Sequence, residues 1–252
     1  MAYAVTFSTY TFTDDVEASD FNDDTDIPTE KVPRRHGVFI NEEPTRAPKI
    51  VHVTGSFFKA TAALVTTELD TLLKVLNSGK QQLKFNSGRY ANAYKQRFSY
   101  RFLETGDFAA VRYDIEFLLA DPFWYDATAT STTITSGYAG WTHNNGGDEI
   151  VSPVVQVTAA GGGSFSAATL TNSTIGKSWT YAGTVAAGAV LEVDSSEFTA
   201  ENPNGTSDQA NWTGTFIWLV AGNNSLALTY TGTAPASVNI AYNARRNVAD
   251  LS

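Results

Sequence analysis

An acidic segment near the start of the sequence carries oxygen-bearing side chains at alternate positions, a spacing that could bind calcium. The residues at the first ligand positions of an EF-hand loop would be Asp20, Asn22, Asp24 and Asp26. The rest of that motif is missing, because Thr25 stands where the sharp turn needs glycine and Lys31 where a bidentate glutamate is needed. No amphipathic helix is predicted on either side. The pattern therefore predicts a solvated loop that orders against a neighbouring molecule, and we expect no metal site.

The other residue types that perform chemistry are not arranged for catalysis. The histidines His36, His52 and His143 are too far apart in the sequence to share a metal-binding spacing. The sequence contains no Gly-x-Ser-x-Gly nucleophile motif, no phosphate-binding glycine loop with its lysine and no dinucleotide fingerprint. The adjacent acids at 42–43 and 148–149 are interpreted as exposed loop residues rather than a glycosidase pair. We therefore expect no catalytic residue, no cofactor and no enzyme activity.

Composition indicates a folded, acidic protein that is stabilised by packing. The 252 residues are 42% hydrophobic and only 17% charged, which is typical of folded domains and not of a disordered chain. Without cysteine, neither disulfides nor cysteine-bound zinc can contribute. The net charge of -9 argues against a nucleic-acid-binding surface, which needs clustered lysine and arginine. Neither a secretory signal nor a membrane-spanning apolar run is recognised, so synthesis and folding in the cytoplasm are expected.

The character of the sequence changes near residue 126. Beyond that point the basic residues are Lys177, Arg245 and Arg246. Thr, Ser, Gly, Ala and Asn become frequent there, as they are in short strands joined by tight turns. We therefore predict two domains, residues 1–126 and 127–252, each close to the usual domain size.

The first domain is predicted to combine strands with one helix. Leucines recur at three- and four-residue spacing from Leu64 to Leu76, and Gly79 is a stop signal, so residues 61–78 are expected to form an amphipathic helix. Two long alternating strands, Arg89–Leu103 and Phe108–Ala120, are expected to form a hairpin through a turn at 104–107. The other strands predicted in this domain are Tyr3–Phe12, Gly37–Ile40 and Lys49–Phe58.

The second domain is predicted to be a β-sandwich of short strands. The candidate strands are Val151–Ala159, Phe165–Asn172, Trp179–Val185, Val190–Val193, Thr215–Leu219, Ser225–Thr231 and Ser237–Tyr242. Glycine- and asparagine-rich turns separate them. Strands of this number and length are typical of a sandwich. The fold class expected for the whole chain is therefore mainly β with one helix.

An aromatic cluster follows the second long strand. Its residues are Asp121, Pro122, Phe123, Trp124 and Tyr125. Proline ends the ladder of hydrogen bonds, and the consecutive aromatic side chains offer a large packing surface. Taken alone, the cluster predicts closure of the first domain.

The order of these parts resembles the distal tail protein family of long-tailed, siphovirus-type bacteriophages over most of the chain. The segments that carry the resemblance are Ile50–Gly55, the leucine helix, Leu83–Phe85, the paired long strands, Ala120–Tyr125, Pro153–Val157, Leu191–Asp194 and Phe216–Asn224. The resemblance implies an α+β ring-forming N-terminal domain and a galectin-like C-terminal β-sandwich. The acidic segment 14–30 has no counterpart in the family's pattern.

The resemblance also implies a function and a set of partners. A member of this family is expected to form a ring, a hexamer, at the tip of the phage tail. The ring would join the tail tube protein to the tail hub or fibre protein or baseplate, near the tape-measure protein, and would leave a channel through which DNA passes. An acidic channel would repel phosphates rather than bind them. The protein would therefore reside in the virion tail after synthesis in the host bacterium, with no membrane partner.

Two sets of residues are predicted to make assembly or packing contacts. The first is the aromatic cluster of residues 121–125. The second is the acidic segment, represented by Asp14, Asp15, Asp20, Asp23, Asp24 and Asp26.

Two further functions remain open from the sequence. A carbohydrate-binding module that recognises a host receptor would need exposed aromatic side chains on the second domain, so exposure of Trp179 or Trp212 would favour it. We expect these residues, with Trp141 and Trp218, to be core residues instead. A tail tube subunit would also form rings, but its rings would stack into long tubes.

Overall fold

The computed structural model describes residues 4–12, 16–19, 25–26, 29–31, 38–40, 45–86, 88–105, 108–202 and 206–249. The chain forms two compact units. Unit 1 comprises Met1–Ala127 and Asn247–Ser252, and unit 2 comprises Thr128–Arg246. Both units consist mainly of antiparallel strands, so the prediction of a mainly β protein with one helix is confirmed. Within the described residues, no helix combines the length and hydrophobicity needed to cross a membrane.

Unit 1 is built around one long sheet. Its strands are β1 (Val5–Phe7), β2 (Tyr10–Phe12), β3 (Val16–Ser19), β4 (Thr25–Asp26), β5 (Thr29–Lys31), β6 (Val38–Ile40), β7 (Thr45–Arg46), β8 (Lys49–Lys59), β9 (Gln81–Phe85), β10 (Arg89–Thr105), β11 (Phe108–Leu119) and β12 (Trp124–Asp126). Seven of them lie side by side in the order β2-β1-β9-β10-β11-β8-β3, and β12 pairs with the start of β10. Two short ladders, β4 with β7 and β5 with β6, are separate from this sheet.

The N-terminal strand differs from its prediction. The segment predicted as one strand, Tyr3–Phe12, forms the hairpin of β1 and β2, in which Phe7 pairs with Tyr10. The chain turns at Ser8, whose φ of 56° places it in the left-handed region. The buried residues change from odd positions, Val5 and Phe7, to even positions, Tyr10 and Phe12, so the alternation shifts by one residue at the turn.

The helix α1 (Ala62–Leu76) packs on the sheet through its leucine face. The hydroxyl of Thr61 accepts a hydrogen bond from the amide of Leu64 at 3.4 Å and caps the first turn. The buried residues of the helix are Val65, Leu69, Leu72 and Leu76. They join a core that includes Val53, Ile115 and Phe117, and each such side chain contributes about 1.5–3 kcal/mol by burial. Leu64 was expected on this face but is 51% exposed.

The predicted hairpin of long strands is present in unit 1. Strands β10 and β11 pair continuously from Tyr94 with Leu118 to Thr105 with Phe108, with one irregularity between Lys95 and Arg97. Strand β8 continues the sheet on the other side of β11. Side chains of β8, β10 and β11 therefore share the two faces of this sheet, although β8 is distant from the hairpin in the sequence.

The end of the chain returns to unit 1. The carbonyl oxygen of Asn247 accepts a hydrogen bond from Lys49 Nζ at 3.3 Å, and that of Val248 accepts one from Arg89 Nη1 at 2.9 Å. Ala249 is buried in the core of unit 1. The division at residue 126 assigned this segment to the second domain, because its few residues carry no signal of their own.

Unit 2 is a two-layered β-sandwich. Its strands are β13 (Thr130–Ile134), β14 (Trp141–Asn145), β15 (Val154–Ala159), β16 (Phe165–Asn172), β17 (Lys177–Val185), β18 (Val190–Asp194), β19 (Thr199–Asn202), β20 (Thr206–Ser207), β21 (Trp212–Gly214), β22 (Gly222–Gly232), β23 (Pro235–Tyr242) and β24 (Arg245–Arg246). One sheet has the order β13-β23-β15-β18-β19-β20 and the other β14-β22-β16-β17-β21. Their inner faces share one core, in which Val155 and Ile240 of one sheet meet Leu170 and Trp179 of the other.

The predicted strand at Thr215–Leu219 is wrong. Ile217 and Leu219 are buried, so the segment alternates as a strand would, but its ladder is reduced to a single bridge between Leu219 and Val151. The paired strand is β21, just before it, and Gly214 ends that strand with a φ of 110°. Burial of alternate side chains therefore produced a strand pattern without strand pairing.

Part of the acidic segment is a strand rather than a loop. Strand β3 pairs with β8, so that Ser19 lies opposite His52 at the edge of the sheet. In β4, Asp26 pairs with Thr45. The remaining predicted contacts of this segment lie outside the described residues: Asp14, Asp15, Asp20, Asp23 and Asp24.

Candidate assembly surfaces

The outer half of β10 carries a row of aromatic side chains, Phe98, Tyr100 and Phe102, which we call the aromatic stripe. Their partners on β11 are Ile115, Tyr113 and Val111, all of which are buried. Directly opposed residues in a ladder share one face of the sheet. The aromatic stripe therefore lies on the core-facing side of the sheet, as the alternation of the sequence predicts.

The aromatic stripe is largely open to solvent. Tyr100 is 47% and Phe102 58% exposed, whereas Phe98 is partly buried against the core of unit 1. The rings contact one another, with centroids 5.6 Å apart for Phe98 and Tyr100 and 5.8 Å for Tyr100 and Phe102. Single exposed apolar residues are ordinary, but a contiguous row of large ones is typical of an interaction surface.

The same half of β10 offers a free backbone edge. Strand β9 pairs with β10 only from Arg89 to Ala93. Beyond Ala93, no strand among the described residues pairs with the edge of β10 that faces away from β11. Such an edge presents unpaired N–H and C=O groups, which a further strand can complete. Edge and stripe lie on the same residues, so one partner could cover both.

The opposite face of this sheet is polar. His52 on β8 and Asp114 and Glu116 on β11 lie close enough that their potential ligand atoms are all within 4.8 Å of one another. Sequence reasoning missed this cluster because the pairing of β8 with β11, which sets Glu116 opposite His52, is not visible in the sequence.

Neighbouring cations argue against a metal at this cluster. Arg97 Nη1 lies 3.3 Å from Glu116 Oε1. Arg101 and Arg112 line a shallow depression next to Asp114 on the same face. Guanidinium groups at this distance offset the carboxylate charge that would attract a divalent cation. We therefore interpret the cluster as part of a surface ion-pair network.

The aromatic cluster of residues 121–125 packs inside unit 1. Trp124 is buried, with its ring centroid 5.4 Å from that of Phe85. Tyr125 stacks on Tyr90 at 5.5 Å, and its hydroxyl donates a hydrogen bond to the carboxylate of Asp121. Burial raises the pKa of Tyr90. Pro122 is buried, and Asp121 and Phe123 are partly exposed.

In unit 2 the tryptophans take different positions. Trp179 is fully buried in the core, so it offers no surface to a ligand. Trp141, Trp212 and Trp218 are partly buried. Lys177 Nζ lies 5.9 Å from the ring centroid of Trp218, within the range of a cation–π interaction.

Two buried asparagines of unit 2 donate hydrogen bonds to its backbone. Asn172 Nδ2 donates to the carbonyl oxygen of Trp218 at 2.9 Å, and Asn224 Nδ2 donates to that of Val220 at 2.9 Å. The Tyr181 hydroxyl donates a hydrogen bond to Asp208. Burial is the main reason that the pKa of Tyr181 is raised, and the contact with Asp208 raises it further. Bonds of this kind satisfy buried polar groups and hold the segments that they join.

This architecture also occurs in a solved structure of a phage protein. No family model and no curated protein sequence matches the chain. Among solved structures, the chain is similar to the Dit protein (gp 19.1) of phage SPP1, with a TM-score of 0.72 and 14% sequence identity over 96% of this chain and 99% of that one. The chain has the Dit fold.

The predicted resemblance to distal tail proteins is thereby confirmed at the level of the fold. The SPP1 protein is described as a paradigm of the hub adsorption apparatus in phages that infect Gram-positive bacteria. Because the likeness spans nearly all of both chains, it covers unit 1 and unit 2 alike.

Proposed function

We propose that this chain is a non-catalytic structural protein of a phage tail tip, located in the virion tail. Copies assemble side by side through unit 1 into a ring, which we expect to be a hexamer. The ring joins the tail tube protein to the tail hub or fibre protein or baseplate, next to the tape-measure protein, and leaves a channel for DNA. The observation that carries the proposal is the Dit fold over 96% of the chain.

The aromatic stripe and the free edge of β10 support this proposal physically. A monomer gains nothing from exposing Tyr100 and Phe102, whereas an adjacent copy that covers them removes their apolar surface from water. A strand of that copy would also satisfy the unpaired groups of the β10 edge. Contacts that repeat from copy to copy form a ring when the rotation between copies closes, and an open filament when it does not.

The decisive measurement is the mass of the purified full chain in solution, by light scattering across a range of concentrations. Assembly is controlled by mass action, so we expect a hexamer to gain population as concentration rises. Electron microscopy of the same sample should show separate rings. Long stacked tubes would instead support a tail tube subunit, and a monomer at every concentration would contradict self-assembly.

A further inference from the structure

Three aromatic side chains of unit 2, Phe198, Trp212 and Phe216, form a second surface, which we call the sandwich patch. The rings of Trp212 and Phe216 stack at 4.2 Å with an interplanar angle of 18°, and the ring of Phe198 meets Phe216 edge-on at 5.5 Å. Phe198 is 63% exposed and is the outermost ring. The patch therefore presents one accessible aromatic side chain on a rigid stacked pair.

The backbone holds Phe198 in a conformation that its side chain disfavours. Its φ of 56° lies in the left-handed region, which bulky residues rarely adopt. Asp194 Oδ1 accepts hydrogen bonds from the amides of Ser196 at 2.7 Å and Glu197 at 3.1 Å, and Gln209 Nε2 donates to the carbonyl oxygen of Phe198 at 2.6 Å. The unit thus fixes an exposed ring that adds little to its own core.

Polar residues flank the aromatic residues of the patch in the sequence. Gln209 and Asn211 are exposed next to the patch, and Asn211 Nδ2 donates to Asp208 Oδ1 at 2.8 Å. Glu197 directly precedes Phe198 and is also exposed. Amides and carboxylates offer the donors and acceptors that hydroxyl groups need, while an aromatic face receives an apolar ring surface.

We propose that the sandwich patch binds a neutral saccharide. The apolar face of a pyranose stacks on Phe198, and its hydroxyl groups bond with Gln209, Asn211 and Glu197. The carboxylates of Glu197 and Asp208 repel anionic sugars and phosphates, which selects the neutral class. A protein partner fits less well, because the buried centre of a protein interface is depleted of charged residues. The site is independent of the proposed ring, since it lies within unit 2.

The test is a printed array of neutral and anionic oligosaccharides probed with the full chain and two variants. Phe198→Asn removes the ring, and asparagine tolerates a positive φ, so the variant should fold at least as well as the wild type. Ile150→Asn is the matched control, because Ile150 is an exposed apolar residue of unit 2 outside the patch. We expect binding to neutral glycans that falls about tenfold or more in Phe198→Asn, and that persists in the control.

Solution titration of the best array glycan against each variant then gives the affinities. Binding confined to anionic glycans, equal binding by Phe198→Asn and the wild type, or no binding to any neutral glycan would overturn the proposal. If the array shows no binding and the patch is instead protected by another tail protein, the patch is a protein interface. None of these results depends on whether the chain forms a ring, because a monomer can be tested in the same way.

Discussion

Unit 1 and unit 2 differ in how they cover their own hydrophobic surface. In unit 2 two sheets face each other, and residues of both inner faces, such as Val155 on one sheet and Trp179 on the other, have no exposed surface. In unit 1 the helix α1 covers part of the sheet, and the core-facing side continues past Phe98 to the exposed rings of Tyr100 and Phe102. Unit 2 therefore covers the inner faces of its sheets by itself, whereas unit 1 leaves Tyr100 and Phe102 uncovered.

The difference follows from the layer architecture. A sheet must bury its apolar face against another element, and a second sheet of similar size does so along its full length. A helix of 15 residues is about 22 Å long, whereas a 17-residue strand spans about 56 Å, so α1 cannot follow β10 to its end. The uncovered remainder is the aromatic stripe.

The largest expected effect tests whether unit 2 is complete by itself. Trp179→Ala removes a fully buried side chain from the centre of the sandwich, and the cavity should lower the free energy of unfolding of unit 2 by about 3–5 kcal/mol. Chemical denaturation monitored by tryptophan fluorescence measures this, because Trp124 is the one tryptophan of the sequence that lies in unit 1.

Trp212→Ala is the comparison variant, since Trp212 is only partly buried and its loss should cost less. A loss below about 1 kcal/mol for Trp179→Ala would show that the sandwich core does not carry the stability of unit 2.

The second largest expected effect tests whether the aromatic stripe of unit 1 is an assembly surface. The double variant Tyr100→Arg with Phe102→Arg places charges where a neighbouring copy would have to desolvate them. We expect assembly to be lost, because replacing an aromatic hot-spot residue of an interface costs about 2 kcal/mol or more. The free energy of unfolding should change by only about 0.5 kcal/mol per substitution, because both positions are exposed. Light scattering and denaturation measure the two quantities on one sample.

Ile150→Arg provides the control, since it adds a charge at an exposed apolar position of unit 2. The double variant should be monomeric while this control assembles like the wild type. Rings of unchanged mass in the double variant would place the copy-to-copy contact elsewhere.

Local patterns predicted the elements of unit 1 well. The leucine spacing gave the helix within two residues of its observed ends, and alternation with a short turn gave the hairpin of β10 and β11. The exposure of Tyr100 could not be predicted, since its spacing is that of a core residue. Whether a ring on that face is buried depends on how far α1 reaches, which is a tertiary property.

Non-local contacts account for what the sequence did not predict. Phe198, Trp212 and Phe216 come together because Asp208 and Gln209 bond back to the segment around Phe198 and Ala200. Leu219 is an example in which the sequence pattern predicted too much. It is buried as in a strand, but its segment pairs only through one bridge to Val151. Sequence patterns report which side chains are apolar, while the partner that covers them is set by pairing across the fold.

The smallest expected effect is a pH dependence of the stability of unit 2, which arises from a histidine buried in its interior. His143 lies with its ring 5.7 Å from that of Tyr242, and burial lowers the pKa of His143. The unfolded chain takes up this proton near the ordinary value of about 6.5, before the folded chain does. The stability that the neutral ring contributes is therefore present above about pH 6.5 and is lost as the pH falls below it.

Urea unfolding of unit 2 at about pH 7.5 and about pH 5.5 measures this loss in the wild type and in His143→Phe, which keeps an aromatic ring beside Tyr242. The variant should lose less stability than the wild type between the two values, and the difference should be absent from the transition of unit 1. An identical loss in both proteins would assign the pH dependence to other groups. A smaller loss in the variant would show that the closed interior of unit 2 excludes water well enough to keep a histidine neutral.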